Sequence, residues 1–346
     1  MMMNFLACMT RGAAGVLIAA AAVSGTAQVA AAQTPVKVTL DTRFEGPDAP
    51  FLVGLDRNYY RDEGLYVTID PATGPLEAIR RVASGAFDIG FADINTLIKY
   101  RDQNPAAPVT AVFMVQNRPP FSILTRKSRG VGKPKDLEGK KLGAPAADTA
   151  FAQWKIFTRA NGIDAAKVDI ENVGLPVREP MLAAGEVDAI TGSSFSSYVN
   201  LKDRGVPVDD IVVLRMSDYG VDLYGNAIFV NQKFAADHPD AVRGFLRAFM
   251  KGLKDTIKDP NAAIESVLKR DDAAKKDVEL ERLRMALKDN IATPEVSAHG
   301  YGEIDPARFE AAIGQIALTH DFKTKPRPGA VFDSSFLPPA AERAVD

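Results

Sequence analysis

At 346 residues, 46% of them apolar and 25% charged, the chain has room for two domains. Its 42 Lys and Arg against 44 Asp and Glu leave a formal charge of −2, and no basic stripe points to a nucleic-acid partner. The single cysteine is Cys8, so beyond the N-terminal segment the sequence excludes a disulfide framework, a cysteine nucleophile and a Cys-ligated metal.

Arg11 precedes an alanine-rich apolar run over 12–23, followed by small residues ending Ala30, Ala31, Ala32 before Gln33. This is the pattern of a secretory signal with an Ala-x-Ala cleavage site, and a disordered cytosolic leader is the alternative. The run is shorter than the roughly 20 apolar residues a spanning helix needs. Cys8 lies before the run, where a lipoprotein cysteine would follow it, which speaks against a lipid anchor. We therefore expect a signal peptide over 1–32, cleaved near Ala32, and an exported chain one unit more negative for the loss of Arg11.

In the exported chain the first strand is expected at Val36, Lys37, Val38, Thr39 and Leu40, which alternate and are β-branched, with 41–47 as the loop at its C-terminal end. Phe51, Leu52, Leu55 and Tyr59 recur at helical spacing over 50–60, Gly64 stops that helix, and 65–69 is the next strand. Thr73, Gly74 and Pro75 open a helix with Leu76, Ile79 and Val82 inward, the proline standing early, where an N–H has no partner to lose. The run Ala83, Ser84, Gly85, Ala86, Phe87, Asp88, Ile89, Gly90, Phe91, Ala92, Asp93 then reads as a helix end stopped by Gly, a tight turn through Asp, and a short apolar strand ending in a carboxylate. A helix over 95–100 and a buried strand over 109–115 follow. Strands alternating with helices imply a parallel sheet covered on both faces, with ligand expected beyond the C-terminal ends of the strands.

A further strand over 121–125 and a helical turn over 133–139 lead to a strand through Leu142, after which the order repeats. A helix over 151–160, a strand over 168–172 and a helix opened by Pro176, Val177 and Arg178 end in a second run, Ala183, Ala184, Gly185, Glu186, Val187, Asp188, Ala189, Ile190, Thr191, Gly192, Ser193. Phe51 and Phe151, Gly64 and Gly162, Gly85 and Gly185, Asp88 and Asp188 keep nearly constant offsets, which reads as two similar α/β lobes. A chance echo is the alternative, because every βα unit favours Gly and Asp in its turns. On the two-lobe reading, Asp93 and Ser193 mark opposite walls of one cleft. Strands at 211–214 and 226–230 come next, and the remainder is helical: a long amphipathic helix from His238 and Pro239, then helices over 262–268, 278–287 and 306–318. Crossings near 117–121 and 224–226 would form a hinge, dividing the chain into a first lobe of 33–118 with 226–346 and a second of 119–225.

These features resemble the type 2 periplasmic solute-binding proteins of ABC importers, the nitrate, sulfonate and taurine group with its thiamine-pyrimidine relatives. The resemblance covers essentially the whole exported chain. It rests on 54–65, closed by Glu63, Gly64 and Leu65, on the run from Ser84 to Gly90, and on Lys135, Asp136, Leu137, Glu138, Gly139, Lys140, Lys141, Leu142 and Gly143. It rests also on Ala184, Gly185, Glu186, Val187, Asp188 and Ala189, and on Val230, Asn231, Gln232, Lys233 and Phe234 followed by His238, Pro239 and Asp240. It implies a two-lobed α/β fold, each lobe a mostly parallel sheet flanked by helices, with a ligand cleft between them. It also implies a monomeric periplasmic protein, without cofactor, metal or catalytic residue, that closes on a small molecule and delivers it to an ABC permease. It places ligand contacts at Arg43, Phe44, Thr73, Gly74, Asp93, Asn95, Asn117, Asp148, Thr149, Ser193, Phe195, Tyr224 and Asn226. Each has a plainer reading as a cap or a solvated loop tip; Asp148 and Thr149 would cap the helix beginning near Phe151. Asp93 is the least bland, since a carboxylate ending an apolar strand needs a partner.

Relatives that bind nitrate or sulfonate need N–H donors and positive side chains. Here the positions placed at the cleft include Asp41, Asp93, Asp148 and Asp222 against Arg43, Arg118 and Arg178. With Asn95, Asn117 and Asn226 for hydrogen bonds and Phe44, Trp154, Phe195 and Tyr224 for stacking, the set leans to a nitrogen heterocycle such as a pyrimidine, or to a zwitterionic amine. A sulfonate, taurine or nitrate ligand is the alternative. A periplasmic sensor would use the same closing cleft. A eukaryotic pyrimidine synthase of thiamine biosynthesis also resembles this fold, but its cysteine-rich motif has no counterpart, and His238, His299 and His320 fall in the C-terminal helical region. With no HExxH pair, Gly-x-Ser-x-Gly elbow or Walker loop, the expectation is a binder and not an enzyme.

Overall fold

The computed structural model describes residues 33–344, so the signal sequence expected over 1–32 lies outside the described residues. Ten strands are present among the described residues: β1 (Thr34–Leu40), β2 (Leu65–Pro71), β3 (Ile89–Asp93), β4 (Val109–Met114), β5 (Phe121–Arg126), β6 (Lys141–Gly143), β7 (Asp169–Glu171), β8 (Ala189–Ser193), β9 (Ile211–Arg215) and β10 (Asn226–Asn231). They form two five-stranded sheets, ordered β2-β1-β3-β10-β4 and β7-β6-β8-β5-β9. Position by position the two orders are the same plan. In the first sheet β10 is antiparallel to β3 and β4, and in the second β5 is antiparallel to β8 and β9, whereas the β1–β2, β1–β3, β6–β7 and β6–β8 pairs are parallel. The antiparallel strand of each sheet is the one the chain enters on crossing from the other. A strand arriving from the far lobe starts at the cleft end and must run backwards, which is why a purely parallel sheet is not formed.

The twin sequence runs do the same work in both sheets. Gly85 and Gly185 stop their helices at φ 77° and 79°, in the left-handed region that glycine tolerates. Three residues on, the Asp88 carboxylate accepts from the Lys37 N–H at 2.8 Å and that of Asp188 from the Lys141 N–H at 3.0 Å, tying each turn to β1 or β6. At the other end of these strands the register is again equivalent, Asp93 opposite Asn226 and Ser193 opposite Phe121.

The helix expected over 50–60 is two helices, Ala49–Asp56 and Tyr59–Asp62, broken at Asn58, whose φ of 61° makes it the one non-glycine residue with positive φ among the described residues. Helical spacing continues across that break because both pieces turn the same face to the core. Helices Ser196–Asp203, Gln232–Asp237 and Pro294–His299, and a π-helical turn at Leu287–Ile291, are additional to the expected elements. Helix Pro239–Lys258 lies on helix Ala49–Asp56 in a core that includes Phe51, Phe245 and Phe249, fully buried. Their contact is closest at Gly252, where an added Cβ would lie 2.2 Å from the Pro50 carbonyl oxygen and 3.2 Å from the Gly54 nitrogen. Gly252→Ala is therefore expected to lower unfolding free energy by about 1–3 kcal/mol in a urea titration, through overpacking against backbone that cannot yield.

Candidate functional site

The loops leaving the C-terminal ends of β1 and β8 meet. Ser196, at the start of helix Ser196–Asp203, donates its hydroxyl to Glu45, in the loop after β1, at 2.7 Å. The Arg282 guanidinium donates to the Asn200 side chain of that helix at 3.0 Å, and Lys202–Glu281 and Lys275–Asp203 pairs at 2.7 and 2.9 Å continue the seam. The C-terminal ends of β1 and β8 therefore face each other across a seam of hydrogen bonds and ion pairs.

On the first wall, residues 41–48 pack carboxylates closely. Asp41 ends the loop side of β1 and accepts from the Asn226 side-chain amide at 2.8 Å. Burial pushes its carboxyl up to about 7; the Asn226 hydrogen bond opposes this, and the charges of Asp93 and Glu45 add to it. Burial likewise raises Asp48, which accepts from the Glu45 N–H at 2.9 Å. Beneath them Glu279 accepts from the Gly46 N–H at 2.7 Å. The counter-charge is Arg282, whose side chain is 1% exposed, hydrogen-bonded to Glu279 and 3.6 Å from Glu45. Burial pulls the guanidinium down, but Glu45, Glu279 and Asp48 more than offset it, and its net shift is upward.

The second wall has a buried charge cluster of its own. Arg178, at the first position of helix Arg178–Ala184, donates to Glu179 at 2.9 Å and to the Ser197 hydroxyl at 3.2 Å, and Ser197 in turn donates to Glu179 at 2.7 Å. Asp148 stands 3.4 Å from the Arg178 Nη1 atom. At that spacing the Asp148 Oδ2 and Arg178 Nη1 atoms have no hydrogen-bond partner, and the buried Trp154 Nε1, Thr191 Oγ1 and Ser194 Oγ atoms have none either. Buried polar atoms are nearly always paired, so these five atoms set this wall apart from an ordinary packed core. Leu76, expected to face inward, is instead 39% exposed in the first turn of helix Pro75–Ala83, and Leu175 and Val177 in the loop after β7 are 43 and 46% exposed, apolar surface at the equivalent ends of the two sheets.

The expected contact residues divide into three groups. Asn226 and Asp148 lie in the clusters just described, and Phe195 is buried beside Ser193, whose hydroxyl accepts from the Ser196 N–H at 3.3 Å. Phe44 packs half-buried against the core of the first lobe, and Arg43 is exposed, 3.2 Å from Glu45. Thr73 hydrogen-bonds Glu77 and Gly74 is the N-cap of helix Pro75–Ala83, both at the helix start. Thr149 lends its carbonyl to the Gln153 side chain at 3.2 Å. Asp93 caps helix Ile94–Gln103, accepting from the Thr96 N–H and hydroxyl at 2.8 and 2.7 Å, and from Asn95, which also donates to the Tyr224 carbonyl at 2.7 Å. Asn117 and Tyr224 turn to the hinge side. The Asn117 side chain takes hydrogen bonds from Thr293 and Arg308, and the Tyr224 ring, fully buried, lies under the Arg308 guanidinium at 4.1 Å and against Phe309. That ring has no free face for stacking, which corrects the role expected of it. Glu45, Glu179, Glu279 and Arg282 were not among the expected site residues. Glu279 and Arg282 stand three apart in a charged helix, a spacing that reads as a solvated face until the helix is seen to bury it.

The family described as NMT1/THI5 like matches residues 48–263. The formylaminopyrimidine-binding protein of Halalkalibacterium halodurans is 26% identical over 319 residues, which cover 90% of this chain and 93% of its own. The 4-amino-5-hydroxymethyl-2-methylpyrimidine phosphate synthase of Schizosaccharomyces pombe is 27% identical over 235 residues, 65% of this chain and 66% of the synthase. Among solved structures, the periplasmic aliphatic sulphonate binding protein SsuA from Escherichia coli superposes with a TM-score of 0.67 at 13% identity, covering 90% of this chain and 92% of SsuA.

Proposed function

Since the chain belongs to the NMT1/THI5-like family, we propose that it is the solute-binding component of an ABC importer, exported to the periplasm, which closes on a nitrogen-rich heterocycle of the aminopyrimidine kind. The observation that carries the ligand class is Asp41, a carboxylate at the end of β1 pushed up to about 7 by burial and by neighbouring acids. Such a group gains most from a ligand that brings N–H donors or a positive charge, and least from an anion. Asp148 and Arg178 on the second wall offer an acceptor and a donor to the same ring, and the likeness over 90% of the chain to a formylaminopyrimidine-binding protein supports the same class. The lobes would close by turning about the two crossings, shifting population toward the liganded form.

Binding without turnover is the reading the side chains favour. His320 pairs with Asp102 at 2.9 Å, His238 caps helix Pro239–Lys258, and His299 ends helix Pro294–His299, none of them at the strand ends. The test is calorimetry of the purified protein with an aminopyrimidine and with an alkanesulfonate, and solution scattering at saturation. Saturable aminopyrimidine binding, a smaller radius of gyration and recovery of the ligand unchanged are expected. Tight sulfonate binding with no pyrimidine binding would overturn the ligand class, and conversion of the ligand would overturn the binder reading.

A further inference from the structure

We propose a second binding site, on the hinge, for a small oxyanion that also carries an O–H or N–H donor, as hydrogen phosphate does. A cavity of about 350 Å³ opens there between Arg118 of the first crossing, Ser217 beyond β9, and Thr293 and Arg308 of the C-terminal helices. A recess of about 70 Å³ sharing Arg118, Ser217 and Thr293 extends it to Lys288, Asp289 and Asn290, three residues of the π-helical turn. None of the loops 41–48, 144–150 or 193–196 lines either space.

The charges in this cavity do not balance. Its acids are already paired: Asp289 with Arg215 at 3.2 Å, Asp222 with Arg308 at 2.8 Å, and Glu295 with Arg308 and, at 2.7 Å, the Tyr224 hydroxyl. Arg118 and Lys288 have no acidic partner among the described residues, and both are exposed at the rim. Two unpaired cations around the recess that they share recruit a small oxyanion. Asn290 supplies the further requirement. It is 1% exposed, its amide N–H donates to the Arg118 carbonyl at 3.0 Å, and its Oδ1 atom meets no donor. Turning the amide over would set two oxygens against each other, so Oδ1 asks its occupant for a hydrogen. An oxyanion that retains a proton meets both demands.

The position also couples the site to the hinge. The Arg118 N–H donates to the Asn290 carbonyl at 3.2 Å, so that the crossing is clamped to the π turn from both sides. Arg215, at the end of β9 in the second sheet, reaches Asp289 of the same turn. An anion held by Arg118, Lys288 and Ser217 therefore touches both lobes across the crossing.

Calorimetry with inorganic phosphate and with sulfate at neutral pH tests this, since sulfate has the same shape and charge but no hydrogen. It needs no cleft ligand, so its outcome is separate from that of the proposed function. Saturable phosphate binding at millimolar concentration is expected, with sulfate at least about tenfold weaker for want of the donor to Asn290. The Arg118→Ala/Lys288→Ala protein should bind phosphate at least about tenfold more weakly still, with an unchanged melting temperature, because both side chains are exposed. If that double variant melts lower, Lys288→Gln alone decides. Absence of saturation, or undiminished binding in the variant, overturns the site; equal affinity for sulfate and phosphate overturns the requirement for a donor.

Discussion

Replacement of Arg282 by Met is expected to cost about 3–5 kcal/mol of stability at neutral pH, the usual consequence of breaking a buried ion pair and leaving its partner uncompensated. Glu279 is 3% exposed and Asp48 5%, and Glu45 completes the group, so the substitution would remove the cation around which three carboxylates are packed. The loss should depend on pH in one direction. Burial already raises Asp48, and removing the Arg282 charge that faces it raises it further, so in the variant Asp48 takes up its proton at higher pH in the folded than in the unfolded chain. The folded variant then binds more protons, so it is stabilised as pH falls and its deficit against the parent shrinks below neutrality. Urea titrations at several pH values measure this. A second substitution, Glu279→Gln, should return part of the stability at neutral pH; a pH-independent deficit with no recovery in the double variant would show that the cost is lost packing alone.

Asp41→Asn should separate stability from binding. The carboxyl stands at about 7 in the folded protein against 3.8 in the unfolded chain. A folded value raised above the unfolded one gives stability that is complete below the lower value and lost as pH rises through the upper one. Asn carries no such loss, so above neutrality the unliganded variant should melt a few degrees higher than the parent, and near pH 4 the two should melt together. Asparagine still accepts from Asn226, leaving that hydrogen bond in place. Affinity for an aminopyrimidine should fall by about 30-fold or more, within the 2–5 kcal/mol span for truncating one member of a buried charged pair. Parent protein titrated near pH 6 should also release protons on binding, because a donor-rich ligand draws Asp41 to its ionised form. A variant that binds normally would remove Asp41 from the site.

The repeat was legible because it rests on chemistry that a sequence states outright. Gly85 and Gly185 are needed for a left-handed backbone, and Asp88 and Asp188 accept from an N–H of the neighbouring strand, β1 or β6, so spacing alone aligned the two sheets. The direction of β5 and β10 was not legible, since an apolar strand reads alike both ways and only the crossing of the chain sets it. Helix Ser196–Asp203 was hidden by Ser193 and Phe195, polar and aromatic residues that read as a binding loop, whereas Phe195 occupies its N-cap and the Ser193 hydroxyl accepts its first N–H. Asp93 shows a related limit: a carboxylate ending an apolar strand does find its partner, but the partner is the N-terminus of the following helix. Arg282 was invisible because pattern reading assigns charge to solvent, and only three-dimensional packing shows a guanidinium with 1% exposure.

The place of β10 in the first sheet also dictates an order of events as the chain emerges. Strands β1 to β4 precede the whole of the second sheet, yet β3 and β4 do not touch each other and wait for β10 to be inserted between them. The second sheet, by contrast, is made of consecutive strands and can be completed while the first still has a gap at its centre. Until Asn226–Asn231 arrives, two inner strand edges stand unpaired, the kind of surface on which nascent chains stick to one another. The arriving strand brings Phe229, whose ring settles where Gly90 leaves no side chain in its way. The lobe that begins the sequence is therefore the last to be finished, and the residue that seals it comes from beyond the far end of its neighbour.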